Sequence, residues 1–294
     1  MYYIIYPIFY LLSLLPWRVL YFISDGFYGL IYYVIGYRRE VVMKNLLIAF
    51  PEKTEKERTR IAKDFYRNFT DTFIETIKLI SVGEKTFDKR FTSNIEVVNA
   101  LYETGQNAQM FTGHFFNWEF ANLGFAKNAK FPLVFVYLPL GNKAFNKIIV
   151  DLRVRYGSMM LSSGEFKNKF KELVNGRYAL GLAADQNPAS PENAYWVPFF
   201  NKLTPFFTGP EKGAKTTNML CFFGHFYKVK RGYYHFEFEL MTTTPNDFET
   251  GELTKLYVDL LEKAIRKKPA NYLWSHRRWK WGFSEEKYGK QVVR

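Results

Sequence analysis

A single cysteine, Cys221, occurs in 294 residues, so the chain can build neither a disulfide framework nor a cysteine-rich zinc site. Acidic residues are also scarce. Twenty-eight Asp and Glu stand against 41 Lys and Arg, a net charge of +13, which points to anionic partners: nucleic acid, anionic lipid or acidic protein. No basic stretch precedes the first apolar run and no small-x-small site closes it, which argues against a cleavable secretion signal. Internal repeats, low-complexity blocks and long linkers are missing. The hydrophobic share of 48% and charged share of 23% argue against disordered and collagen-like classes, and the length suits one large α/β domain. Aromatics are abundant instead, with 30 Phe, 21 Tyr and 6 Trp, a surplus typical of proteins working at a bilayer surface.

Charge is absent from residues 1–17, and Arg18 is the only charged side chain up to Ile23. A span takes about 20 apolar residues, so 2–23 reads as a membrane-embedded helix that Pro7 and Pro16 kink or interrupt. The uncharged stretch Gly26–Tyr37 is too short to span and reads as interfacial or partly inserted. Arg18, Arg38, Arg39 and Lys44 follow the first run and nothing basic precedes it, which places the body in the cytoplasm; a chain without disulfides suits that compartment. The expected organisation is a membrane-associated segment over 1–37 and a single cytoplasmic α/β domain over 38–294.

Thr54-Glu55-Lys56-Glu57 is a capping-box pattern opening a helix with Ile61, Phe65, Phe69, Phe73 and Ile77 at four-residue intervals. From about residue 92 the rhythm alternates. Strands are expected at 95–98, 107–112, 132–138, 158–161, 178–184, 219–229 and 233–241. Helices are expected at 99–104, 117–127, 142–156, 165–174, 209–217 and 251–267. The alternation implies a mixed sheet flanked by helices.

Of the four histidines only His114 has a carboxylate five residues on, Glu119, in Gly113-His114-Phe115-Phe116-Asn117-Trp118-Glu119. The segment follows an expected strand, and Asn117 is a good N-cap, so the turn brings Glu119 back to the imidazole. A carboxylate that fixes the tautomer makes such a histidine a general base, and a base can activate an acceptor hydroxyl directly, with no serine or cysteine nucleophile. Downstream, an apolar strand ends in Asp185-Gln186-Asn187-Pro188, at the strand end where open α/β sheets place their sites. Thr208-Gly209-Pro210 opens a helix that could receive an anion or form an ordinary turn. His225, His235 and Cys221 read as structural.

In this order the residues resemble the bacterial lipid A biosynthesis acyltransferases, the lauroyl/myristoyl transferase family within the His-x4-Asp/Glu acyltransferase superfamily. The resemblance rests on the uncharged N-terminal run, Arg38–Leu46, Gly113–Glu119, Arg153-Val154-Arg155-Tyr156-Gly157, Asp185-Gln186, Val197–Phe200, Thr208–Pro210 and Tyr272–Lys280. It implies transfer of a fatty acyl chain from an acyl-carrier-protein thioester to a hydroxyl of a lipid A precursor, at the cytoplasmic face of the inner membrane, without metal or organic cofactor. It also implies His114 as general base with Glu119 orienting it, and substrate contacts from Arg153, Asp185, Gln186, Thr208 and Gly209. Arg153 would bind an acceptor phosphate or hold Asp185. The chain departs from the family pattern at Asn187-Pro188-Ala189-Ser190-Pro191, where a glycine-rich loop is usual, and at Asn201-Lys202-Leu203, where glycine follows Val-Pro-Phe-Phe.

Residues 263–294 carry +8 of the net +13. Trp274, Trp279 and Trp281 interleave there with His276, Arg277, Arg278 and Lys280, a combination suited to phospholipid headgroups. Two alternatives share these features. One is the same chemistry on another glycolipid, an aminolipid or a lysophospholipid. The other is a non-enzymatic basic, aromatic protein that binds a membrane surface or nucleic acid; no RNA-recognition or helix-turn-helix signature supports a nucleic-acid partner.

Overall fold

Pro16 divides the uncharged N-terminal run in two. In the computed structural model, which describes residues 1–293, the first helix is α1 (Tyr2–Leu14) and the second is α2 (Trp17–Gly29), which continues into a π-helical turn over Leu30–Ile35. The two limbs bend by 114° at the break. The expected single helix over 2–23 is therefore corrected: proline cannot donate the hydrogen bond that continuation needs, whereas Pro7 is accommodated inside α1. Among the described residues no single helix is long and apolar enough to cross a membrane, and only the bent pair passes by length and composition. The second uncharged stretch is the end of the second limb, not a separate helix.

Helix α3 (Arg39–Ala49) leads to the long α4 (Glu55–Leu79). Both halves of the Thr54–Glu57 capping box form. The expected stripe at strict four-residue spacing drifts around α4, because a helix turns every 3.6 residues. Phe65 is buried but Phe73 lies 51% exposed. The inward positions a turn later hold Asp71 and Glu75, both fully buried. Asp71 accepts from Ser24 and Arg231; Glu75 accepts from the Tyr21 and Tyr234 hydroxyls and the Asn117 amide. Burial drives the Glu75 carboxyl upward, with the Asp71 charge adding to it.

The rest of the chain forms α5 (Glu84–Asp88), β1 (Phe91–Ser93), α6 (Ile95–Tyr102), β2 (Ala108–Thr112), α7 (Trp118–Asn128), β3 (Leu133–Tyr137), α8 (Lys143–Arg153), β4 (Met159–Ser162), α9 (Phe166–Leu173), β5 (Ala179–Ala183), β6 (Ala194–Phe199), β7 (Lys202–Phe207), α10 (Gly209–Thr216), β8 (Leu220–Lys230), β9 (Tyr233–Thr242), α11 (Glu252–Lys267) and the short α12 (Glu285–Tyr288); α5, β1, β6, β7 and α12 are additions to the expected alternation. Seven strands form one sheet in the order β1-β9-β8-β2-β5-β3-β4, parallel except between β8 and β9. The expected strand over 95–98 is the first half of α6, and β1 lies just before it. The pair β6 and β7 forms a separate antiparallel hairpin. Phe200 and Asn201 both take positive φ, 50° and 58°, in its two-residue turn. Asparagine tolerates that region, which explains how the chain dispenses with glycine there.

Candidate active site

Strands β2 and β5 are parallel neighbours with Thr112 opposite Ala183. His114 and Asp185 each lie two residues beyond that pair, so both leave the sheet at its carboxyl edge. Gly113 permits the exit. A Cβ there would stand 2.7 Å from Leu261 of α11, and Tyr257 of the same helix donates its hydroxyl hydrogen to the Thr112 carbonyl. The His114 backbone N–H donates to Asp185 Oδ2 at 3.0 Å, and the His114 ring Nδ1 meets Asp185 Oδ1 at 2.6 Å. An ionised carboxylate only accepts, so the ring proton sits on Nδ1 and Nε2 keeps its lone pair. Asp185 is 1% exposed and the imidazole 29%. Burial pulls the His114 pKa down, but the Asp185 charge and hydrogen bond outweigh it, and the net shift is upward. Asp185 is held below the ordinary carboxylate range by the same pairing, against its own burial.

The carboxylate on the imidazole is thus Asp185 and not Glu119. Glu119, in the first turn of α7, accepts from Arg153 Nε at 2.8 Å and Nη2 at 2.7 Å, a bidentate pair with the glutamate almost fully buried. The helix carries Glu119 toward α8, while the β2–β5 register has already placed a carboxylate under His114. Arg153 accordingly holds neither Asp185 nor open surface. Asn117 starts α7 without a side-chain cap and spends its amide on Glu75. Arg155 donates to the Leu79 and Ile80 carbonyls, capping the end of α4, and Gly157 turns the chain at φ +88°, a conformation suited to glycine.

The segment 271–278 forms the facing wall, in contrast to the headgroup strip that its interleaved Trp and basic residues suggest. Trp274 and Arg278 are each 1% exposed. Leu273 N–H donates to the His114 carbonyl, Phe116 N–H to that of Asn271, and Phe115 bridges Tyr272. Arg278 donates to the Asn187 side chain and the Pro205 carbonyl and lies over the Phe206 ring at 4.1 Å. A buried arginine in so basic a tail is indistinguishable by composition from an exposed one. Gln186 is partly exposed beside Asp185. Thr208 makes no capping bond; the anchoring group of α10 is Glu211, which accepts from the N–H groups of Gly251 and Thr254 at the start of α11. His225 and Cys221 are buried, and burial pushes the thiol up to about 12.

Fold and site together define an α/β protein with a histidine–aspartate pair at the carboxyl edge of a parallel strand pair. The family model described as bacterial lipid A biosynthesis acyltransferase matches residues 1–281. The chain belongs to that family and is an acyltransferase of lipid A biosynthesis. It is similar to the lipid A biosynthesis lauroyltransferase of Escherichia coli (strain K12), 26% identical over 288 residues, covering 90% of this chain and 87% of that protein. It is also similar to a lipid A biosynthesis acyltransferase of Haemophilus influenzae, 26% identical over 278 residues, with 90% and 86% covered.

Proposed function

We propose that the protein transfers a fatty acyl chain from an acyl-carrier-protein thioester to a hydroxyl of a lipid A precursor, without a covalent enzyme intermediate. The observation that carries this reading is the 2.6 Å contact between His114 Nδ1 and Asp185, which leaves Nε2 as the base. Nε2 takes the acceptor hydroxyl proton as that oxygen bonds to the thioester carbonyl carbon. The C–S bond then breaks, and the departing thiolate takes the proton from the imidazolium. Glu119 contributes by fixing Arg153, whose remaining Nη1 is available to an acceptor phosphate. Gln186, Thr208 and Gly209, all at least partly exposed, line the acceptor side. The +13 charge suits both a phosphorylated acceptor and an acidic carrier protein. Mass spectrometry of lipid A and total lipids, from cells with and without the gene, tests the proposal. Loss of one acyl chain from lipid A, restored by wild type and not by His114→Ala, is the expected result. Unchanged lipid A with an acyl group missing elsewhere would replace the acceptor; no lipid change would overturn the reading.

The enzyme acts at the cytoplasmic face of the inner membrane, with 1–37 as the membrane-associated segment of the 38–294 catalytic domain. Support comes from an apolar face that includes Tyr3, Ile4, Ile8, Leu11, Phe22 and Val34, all exposed, while the opposite side is bolted to α4 through Tyr21 and Ser24. An apolar face with no core to cover suits insertion parallel to the membrane plane. The triple variant Ile8→Glu/Phe22→Glu/Val34→Glu is expected to reduce sedimentation with anionic vesicles by about tenfold or more while keeping its unfolding temperature. Undiminished sedimentation would transfer membrane attachment to the basic tail.

A further inference from the structure

The turn after β5 holds two histidines by opposite nitrogens. Asp185 takes His114 by Nδ1. Two residues on, the Asn187 backbone N–H donates to His276 Nε2 at 3.2 Å. A backbone N–H only donates, so Nε2 of His276 is the acceptor and its ring proton resides on Nδ1. Among the described residues nothing accepts from that Nδ1–H. Burial and the positive charge of Arg278 bring the His276 pKa down to about 4, so the ring is neutral near pH 7. One ring therefore presents a bare nitrogen and the other an N–H, both anchored to the same three-residue turn.

The placement of His276 is reinforced from several sides. Its carbonyl and that of Trp274 both accept from the Asn45 amide, at 2.7 and 2.8 Å, and Arg38 donates to the intervening Ser275 carbonyl. The Asn187 amide donates to the Arg277 carbonyl at 2.6 Å, and Arg278 returns a hydrogen bond to the Asn187 side chain at 3.0 Å. Three residues before His276, the same segment binds the His114 carbonyl through Leu273 N–H at 3.1 Å. Asp185 and His114 both lie close enough to His276 to influence its proton affinity. So much reinforcement around one imidazole fixes the direction of its free N–H before substrate arrives, as preorganised stabilisation of developing charge requires.

We propose that His276 donates from Nδ1 to the thioester carbonyl oxygen, receiving the negative charge that develops there while His114 takes the acceptor proton. The assignment rests on the acyl-transfer reading given above. In the addition step the carbonyl π electrons move onto oxygen, where the neutral imidazole N–H meets them. They return when the C–S bond breaks, and His276 neither gains nor loses a proton. A neutral imidazole is a suitable electrophile because it does not compete for the proton that His114 must take.

Two isosteric substitutions separate this role from a structural one. In His276→Gln the amide oxygen reaches the place of Nε2 and still accepts from Asn187, but no donor stands at Nδ1. In His276→Asn the amide nitrogen replaces Nδ1–H and the acceptor toward Asn187 is lost. The assay uses the purified full chain with an acyl-carrier-protein thioester and a phosphorylated lipid A precursor. His276→Gln is expected to lower kcat by roughly 10²–10³-fold, with KM and unfolding temperature close to wild type. His276→Asn is expected to recover most of that loss despite a lower unfolding temperature. Wild-type kcat in His276→Gln, a loss confined to KM, or less activity in His276→Asn than in His276→Gln would each overturn the proposal. His114→Ala in the same assay separates the two failures: if it stays active the acyl-transfer reading itself falls, and if it is inactive while His276→Gln is not, only the role of His276 falls.

Discussion

His114→Ala is expected to lower acyl transfer by roughly 10²–10⁴-fold, the range of general acid–base catalysis, with unfolding temperature and membrane sedimentation unchanged. The ring is partly open to the cleft and its hydrogen bond goes to a single buried partner, so removing it takes away chemistry and little packing. Asp185→Asn should approach the same loss by a different route. Asp185 accepts two N–H groups of His114. An asparagine that accepts the backbone N–H turns its own NH2 toward Nδ1. The imidazole must then accept there and carry its proton on Nε2, where the base is needed. The pH profile distinguishes the two residues. Asp185 raises the proton affinity of His114, so in the wild type the free base appears as pH rises through that elevated pKa, and kcat/KM climbs with it. Removing the carboxylate charge lets burial lower the pKa, and the acidic limb of the residual activity moves to lower pH. A limb that stays in place in Asp185→Asn would assign it to another group.

Arg153→Met is the substitution with the largest expected effect on stability. Glu119 is 3% exposed at its side chain, Arg153 16%, and the two meet in a fork. Removing one member of such a buried pair costs about 3–5 kcal/mol, because the other charge is left without a partner. The double variant Glu119→Leu/Arg153→Met should recover most of that loss, since an apolar pair of similar size needs no compensation. Urea unfolding of the two single variants and the double closes the cycle. A further variant, Glu119→Gln, tests the expectation that Glu119 is the orienting carboxylate of His114. That expectation predicts full stability, little activity and a displaced acidic limb. The observed fork predicts lower stability and a limb that keeps its position.

Local patterning made most of the scaffold readable. The capping box at Thr54, the buried strands β2, β5 and β8, and Pro210 near the start of α10 follow from residue types within a few positions of each other. His114 stood out because it follows a strand and a glycine. Its partner did not, because five-residue spacing names the nearest carboxylate in the chain, whereas Asp185 arrives through sheet register 71 residues away. The tail is ambiguous for a related reason. Interleaved Trp and Arg satisfy a headgroup pattern and a packed pattern equally, and only the Asn187 turn and Phe206 show that Arg278 faces inward. The buried carboxylates Asp71 and Glu75 are not legible in the sequence because a four-residue stripe ignores the drift of the helix. The arginine motif at 153–157 was legible as a motif, but its division of labour between Glu119 and the end of α4 required the fold.

The three side chains that grip the wall of the site, Arg38, Asn45 and Asn68, reach carbonyls 237, 229 and 202 residues further along the chain. Translation makes these grips long before what they hold. A nascent chain can complete α3 and α4 with no facing wall for His114. Contacts of such long sequence separation form late and slowly, so the site is complete only after residues 270–276 emerge. Premature termination before that stretch would therefore yield a chain that carries α3 and α4 but no wall facing His114.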